Sequence, residues 1–310
     1  MSEIERAARA LVEGHLVAMP TETVYGLAAD ANNASAVDRI FEVKGRPRNH
    51  PLILHIASRD QIDDWAIDMP DFAIALAEAF WPGPMTLVLK RSTLAQDFIT
   101  GGQSTVGVRV PNHPVALELL DIFERLGGKG IAAPSANRFG QVSPTTVSAV
   151  RAELADRLTN EDIILEGGES RVGLESTIID CTGDNPAILR PGAITVSMIE
   201  QVTGLPLSAE TDPTIRVSGS LKSHYAPNAS VVLDTEAKAG EGLIALAGVA
   251  TPIGVTRLAA PKNLEEYAHQ LYAALRKADE LGLSRIAAIQ PEGDGLAIAI
   301  RDRLQRAAHR

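Results

Sequence analysis

From residue 16 to residue 203 the chain repeatedly changes period: short apolar runs of strand length are followed by stretches whose apolar residues have helical spacing. Mixed strands and helices with short connections commit a chain to an α/β architecture, in which helices cover a sheet. A first helix is marked by Ser2 and Glu5 at capping-box spacing, by an apolar face of Ile4, Ala8, Leu11 and Val12, and by Gly14 as its stop. Residues 16–19 form an apolar run that ends at Pro20, as a buried strand would. Ser35 opens a helix through Val43, which Gly45 and Pro47 break, and residues 51–57 read as the next strand. Ser58 with Gln61 caps another helix. Further strands are predicted at 85–89, 105–110, 130–133, 163–165, 176–180 and 187–190, and helices at 71–80, 114–126, 144–155 and 197–203. For the 144–155 helix, Ser143 is the expected cap and Pro144 the first helical residue.

Periodicity then fails. Residues 204–228 contain Pro206, Pro213 and Pro227 and read as an extended linker. Beyond it, strands at 230–234, 242–246, 253–256 and 286–289 accompany a helix carrying Leu264, Tyr267, Ala268, Leu271, Ala274 and Leu275, and a terminal helix. The expected organisation is an α/β domain over 1–203, a linker over 204–228 and a smaller α/β unit over 229–310, as a length of 310 residues allows.

Charge decides which ligands such a fold can take. With 29 Lys and Arg against 39 Asp and Glu, the net charge of −10 argues against a broad basic face for nucleic acid. Phosphates would have to be met by a local cluster of cations. No apolar run approaches the ~20 residues that span a bilayer, and no basic segment followed by an apolar run opens the chain. The single cysteine, Cys181, cannot form an internal disulfide, which fits a reducing compartment; a cytoplasmic protein is expected.

Familiar nucleotide and catalytic signatures are missing: there is no Walker A loop, GxGxxG, HExxH, GxSxG elbow or paired CxxC. Five stretches remain informative. Pro20-Thr-Glu-Thr-Val-Tyr-Gly-Leu follows a strand, where α/β sheets favour ligand sites; a turn capped by threonines is the plain alternative. Lys44-Gly-Arg-Pro-Arg gathers three cations able to neutralise a triphosphate, although cations at a helix C-terminus also simply complement its dipole. Arg109 sits in an apolar strand, so it must meet an anion or a carboxylate, while Ser135 and Asn137 offer groups suited to a base or ribose, or to an ordinary turn. Strands bearing Ser176 and Arg190 would bring these two together in a pocket. Finally, Ser218 to Pro227 places His224 and Tyr225 inside the linker, as binding residues or as an anchor.

Taken in order, Pro20-Thr-Glu-Thr-Val-Tyr-Gly-Leu, Lys44-x-Arg-Pro with Pro51-Leu and His55, Ser135-Ala-Asn137, Glu175-Ser-Thr177, Arg190-Pro-Gly and His224-Tyr-Ala-Pro resemble the YrdC/Sua5 family. The likeness covers residues 1 to about 230, and the extra C-terminal unit is similar to the two-domain branch. It implies a twisted, open mixed sheet with helices around a large cationic cavity, plus a small Rossmann-like C-terminal domain. It implies a threonylcarbamoyl-AMP synthase, a nucleotidyltransferase joining L-threonine, bicarbonate and ATP, with release of pyrophosphate, for modification of adenosine 37 in tRNA. By the same resemblance, Thr23, His55, Arg109 and Ser176 would hold L-threonine. Lys44, Arg46, His50, Thr105, Ser135, Asn137, Ser143, Arg190 and Tyr225 would face ATP, although many relatives carry Asn where His50 stands. Lys44 and Arg46 would be catalytic, steadying the departing pyrophosphate together with Mg²⁺ brought by ATP, with no metal ligand assigned to the protein. A downstream threonylcarbamoyl-transferase complex would take the product, with room for a weak tRNA contact, and residues 204–228 would serve as a lid. A nucleic-acid module is disfavoured by the acidity of the chain. A carbamoyl transferase of the hydrogenase-maturation type is disfavoured by its single cysteine, and an inactive paralogue by the presence of Lys44, Arg46, Arg109, Ser176 and Arg190.

Overall fold

Helix signals in the sequence become helices where their caps can form. Ser2 and Glu5 close a capping box on Glu3–Val12, and Asn33 caps Ala34–Lys44 through the backbone N–H groups of Ser35 and Ala36. Ser58 and Gln61 form the second capping box, but on a short 3₁₀ turn, Arg59–Gln61, leading into Ile62–Trp65. The computed structural model describes residues 1–209, 211–219 and 224–309; of the expected linker, residues 210 and 220–223 lie outside them.

Among the described residues, ten strands join one mixed sheet. Its order runs Ala187–Arg190, Thr177–Asp180, Met85–Arg91, Thr105–Arg109, Ile53–His55, Ile131–Ala132, Gly26–Asp30, Val17–Met19 and Ile163–Ile164, with Ala66–Ile67 paired to Met85–Arg91. Parallel and antiparallel neighbours alternate irregularly, as mixed sheets allow. The centre of the sheet is apolar on both faces; Leu54, Leu87, Val108 and Ala132 are fully buried under helices that contribute Ile40, Leu76 and Leu119. Parallel register sets His55 directly beside Arg109, so two polar side chains emerge together from an apolar sheet.

The C-terminal unit is a four-stranded, all-parallel sheet in the order Ser230–Leu233, Arg285–Ala288, Gly242–Ile244 and Thr256–Ala259, packed by the helices Leu264–Glu280 and Leu296–Ala308. It does not stand apart. Val24, Val142, Leu174 and Tyr225 share a buried cluster with Tyr267, Leu271 and Tyr272 of this unit.

Three local expectations are corrected. The helix expected at 144–155 spans Val147–Leu154 and is capped by Thr146, not Ser143. The Ser143 hydroxyl is committed to Glu175, and the Pro144 carbonyl accepts from the Tyr25 backbone, so this entry stays extended. The strand expected at 253–256 is Thr256–Ala259; Ile253 lies in a turn and is 99% exposed. Gly26–Asp30 is a strand that the threonine-rich motif beside it concealed.

Candidate active site

Lys44 and Arg46 owe their position to how their helix ends. Gly45 takes a left-handed conformation (φ 63°), its N–H returns to the Glu42 carbonyl, and the Arg46 N–H returns to Phe41. This is a Schellman turn, and it sends the flanking cations inward. Lys44 Nζ donates to the carbonyls of Ser135 (2.6 Å) and Asn137 (2.5 Å). Arg46 donates to the Pro51 carbonyl (2.9 Å) and Ser218 Oγ (3.1 Å), with its guanidinium 5.7 Å from the centre of the Phe139 ring. Arg109 comes from the sheet centre and meets Glu22 (2.6 Å), Thr23 Oγ1 (2.9 Å) and the Gly83 carbonyl (3.3 Å). Arg190 comes from the edge strand, beyond a register shift at Ile188, and donates to the Ser176 carbonyl (2.9 Å), Ser176 Oγ (3.1 Å) and the Ser218 carbonyl (2.9 Å). These four cations line one cavity of about 610 Å³, its mouth included.

The cavity stores unspent positive charge. Arg109 is compensated by Glu22, whereas Lys44, Arg46 and Arg190 have no carboxylate partner within ion-pair distance among the described residues. Burial, reinforced by Arg46, holds Lys44 well below the ordinary lysine value; burial lowers Arg46 to about 10 and lowers Arg190 as well. A buried cation without a counter-ion costs several kcal/mol, so such a site is arranged for an anion that arrives from solution. Buried polar atoms without partners point the same way: Arg46 Nε, Asn137 Oδ1, His224 Nδ1 and Tyr225 Oη all belong to residues lining this cavity.

The neutral polar groups are equally defined. Burial and the neighbouring Arg109 lower His55 to about 3, so the ring is uncharged at neutral pH. Its Nδ1 lies 3.2 Å from the Ile53 carbonyl. A carbonyl only accepts, so the proton resides on Nδ1 and Nε2 carries a lone pair. Ser176 Oγ accepts from Arg190 and shares a hydrogen bond with Thr86 (2.8 Å). Tyr225 holds a left-handed backbone (φ 61°), unusual for a bulky residue, and burial keeps its hydroxyl protonated.

Of the residues singled out from the sequence, Thr23, Lys44, Arg46, His55, Arg109, Ser135, Asn137, Ser176, Arg190 and Tyr225 line this cavity. Three stand outside its lining. Ser143 lies one layer behind, donating to Glu175 (2.6 Å). Thr105 borders a smaller adjoining hollow that shares Ile53 and Ser218 with the first, and His50 packs edge-on against Phe139 at 5.4 Å. Sequence reasoning did not single out Glu175 itself, Thr21, Phe139 or Ser218 as site residues. Glu175 carried a readable signal, being a carboxylate in the apolar run Gly173-Leu-Glu-Ser-Thr-Ile-Ile, the argument that had singled out Arg109. No group of three His, Cys, Asp or Glu side chains that could hold a metal ion occurs among the described residues. Nor does any described helix have the length and apolarity to cross a membrane.

Comparison with known proteins bears directly on this cavity. Residues 9–192 match the Sua5/YciO/YrdC family, described as telomere recombination, and residues 194–309 match the threonylcarbamoyl-AMP synthase C-terminal domain. The threonylcarbamoyl-AMP synthase of Pyrococcus abyssi is 40% identical over 99% of this chain and 94% of its own length. That of Bacillus subtilis is 38% identical over 99% and 93%. The crystal structure of P. abyssi Sua5 complexed with L-threonine superposes with a TM-score of 0.88, at 40% identity, covering 98% of this chain and 94% of that one.

Proposed function

The chain belongs to the Sua5/YciO/YrdC family, and from that premise we propose that its cavity makes threonylcarbamoyl-AMP from L-threonine, bicarbonate and ATP, for N6-threonylcarbamoylation of adenosine 37 in tRNA. It is an enzyme of the adenylyl-transferring class. The observation that carries the reading is the convergence of Lys44, Arg46 and Arg190, buried without counter-ions, on one hollow beside the neutral His55.

In this reading the neutral amine of threonine attacks carbon dioxide or bicarbonate to give a carbamate anion; the N–H proton passes to solvent in the first case and leaves as part of the released water in the second. A carbamate oxygen then attacks the α-phosphorus of ATP, and pyrophosphate leaves. Thr23, His55, Arg109 and Ser176 hold threonine. His55 Nε2 offers its lone pair to the amine. Arg109 has five N–H donors, of which three are occupied, so it can still meet the threonine carboxylate while Glu22 already balances its charge. Lys44, Arg46, Ser135, Asn137, Arg190 and Tyr225 face ATP, with His50, Thr105 and Ser143 supporting that side from the positions described. Lys44 and Arg46 favour the departure of pyrophosphate, because fixed cations act most strongly where charge develops in a water-poor site. Mg²⁺ would arrive with ATP as its counter-ion and add to the charge that Lys44 and Arg46 set beside the departing pyrophosphate.

Carbamates lose carbon dioxide in water, so shelter matters. His224 and Tyr225 supply it as part of a lid formed by residues 204–228, and a chain truncated before residue 204 should lose most product; unchanged turnover would refute the lid. A buried single thiol at Cys181 suits a cytoplasmic setting. The acceptor of the product is a threonylcarbamoyl-transferase complex, with tRNA contact weak at most. The test is incubation with threonine, bicarbonate and ATP, followed by mass-spectrometric detection of threonylcarbamoyl-AMP and a pyrophosphate assay. Both products must vanish when threonine is omitted, and pyrophosphate release independent of threonine would overturn the reading.

A further inference from the structure

Glu175 is the only carboxylate in a lining that otherwise carries four cations, among the described residues. It is buried and ionised: burial alone would push it up, but Arg303, Arg190 and its hydrogen bonds hold it at about 2. A bare carboxylate there would have two effects. It would repel an incoming polyphosphate, and it would compete with that anion for Arg190, which already lies within its field without forming an ion pair.

The carboxylate is not bare. Glu175 Oε1 accepts from Ser143, while Oε2 accepts from Tyr272 Oη (2.8 Å) and Arg303 Nε (2.8 Å). Tyr272 and Arg303 belong to the two helices of the C-terminal unit, Leu264–Glu280 and Leu296–Ala308. Arg303 is fully buried and fastened by the Pro191 carbonyl (3.0 Å) and Asp302 (2.5 Å). The same pair grips Tyr225: the Arg303 guanidinium stands 5.4 Å from its ring centre, and the Tyr272 ring stacks on it at 5.5 Å. A tyrosine with a left-handed backbone needs such bracing.

We infer that Arg303, assisted by Tyr272, is a positioning residue for nucleotide binding: the C-terminal domain supplies the counter-ion of Glu175, which leaves Arg190 to the nucleotide and holds Tyr225 in place. The inference rests on the nucleotide reading of the cavity, but it does not require the chemistry with threonine. Equilibrium ATP binding is therefore the measurement, on the full chain, for the parent protein, Arg303→Met, Tyr272→Phe and the double variant Arg303→Met/Glu175→Gln. Arg303→Met should weaken ATP about tenfold or more and Tyr272→Phe a few-fold. The double variant should regain most of the loss, since without the carboxylate no counter-ion is needed; affinity is scored per folded molecule, so a change in stability alone does not register. A folded Arg303→Met protein that binds ATP like the parent, or a double variant no better than Arg303→Met, overturns the inference. Should Arg303→Met fail to fold, Tyr272→Phe decides, because unchanged affinity there overturns it too. ATP binding by the parent without product formation would sink the synthase reading alone.

Discussion

Two buried histidines make the protein acid-sensitive by a calculable amount. His55 and His224 are lowered from 6.5 to about 3, in both cases first by burial and then by cations: Arg109 for His55, and Arg46, Lys44 and Arg190 against the opposing pull of Glu175 for His224. In the unfolded chain each takes up a proton as pH falls through 6.5, whereas in the folded chain neither does until about pH 3. Folded stability is thus lost as pH drops across that window. Between pH 7.5 and 5.0 the loss is about 2 kcal/mol per histidine, or about 4 kcal/mol together. The size of the loss is set by the unfolded value, since at pH 5.0 both rings are still unprotonated in the folded chain. Carboxylates contribute little above pH 5, but His50 and His113 are lowered as well, so the absolute loss exceeds that of the pair. The comparison that isolates the effect is urea unfolding of the parent chain and the single variants His55→Gln and His224→Gln at both pH values. Each variant should lose about 2 kcal/mol less than the parent on acidification. Equal losses in parent and variants would show that these rings titrate normally in the folded protein, and the picture of a water-poor, cation-lined hollow would fail.

Other consequences are more direct. Lys44→Met should lower threonine-dependent pyrophosphate release by about a hundredfold or more, as removal of a transition-state donor does, and a loss under threefold would remove Lys44 from the chemistry. Ser176→Ala should raise the KM for threonine several-fold with little change in that for ATP; a change confined to ATP would reassign the residue. Arg109→Lys keeps the charge but loses the planar fork that spans Glu22, Thr23 and Gly83, so threonine affinity should drop about tenfold. Unaltered titration of threonine in that variant would argue against the fork. Gly173→Ala should destabilise the chain by about 1–3 kcal/mol in a melting experiment, because φ is 78° there and an added Cβ would lie 2.6 Å from the His269 backbone. An unchanged melting temperature would mean that the C-terminal unit is not seated as described.

What the sequence disclosed follows a physical division. Elements with local causes were readable: the capping box at Ser2, the helix stop at Gly45 and the apolar strand around Arg109 each rest on residues within a few positions of one another. The cavity was readable for a different reason, since cations and hydroxyls in apolar contexts demand partners, and ordered motifs resembled a known family. Long-range causes were not readable. Ser143 reads as a helix cap until Glu175, 32 residues away, is seen to hold its hydroxyl. The sequence reading does not single out Arg303, although Ala299, Ile300, Leu304 and Ala307 place it on the buried face of its helix. Its partner lies 128 residues earlier, and nothing local announces it.

The arrangement also constrains how the cavity can accelerate a reaction. Covalent catalysis needs a nucleophile with a base in reach. Ser176 does not meet that condition, because Arg190 donates to its oxygen and the neighbouring hydroxyl belongs to Thr86, a poor base. Cys181 is buried in the apolar core and is not among the residues lining the cavity, and its thiol is pushed well above the ordinary value by burial and Asp180, so its thiolate is disfavoured. His55 is too weakly basic to carry a proton at neutral pH, which leaves it as an oriented acceptor. What the site does offer is charge already paid for by the fold. Lys44, Arg46 and Arg190 are held by carbonyls and hydroxyls in place of carboxylates, so their fields extend into the hollow instead of being cancelled at its wall. A reaction that gathers negative charge on a departing pyrophosphate is the kind such a field favours, and the Arg303–Glu175 pair explains how one carboxylate can sit among those cations without quenching them.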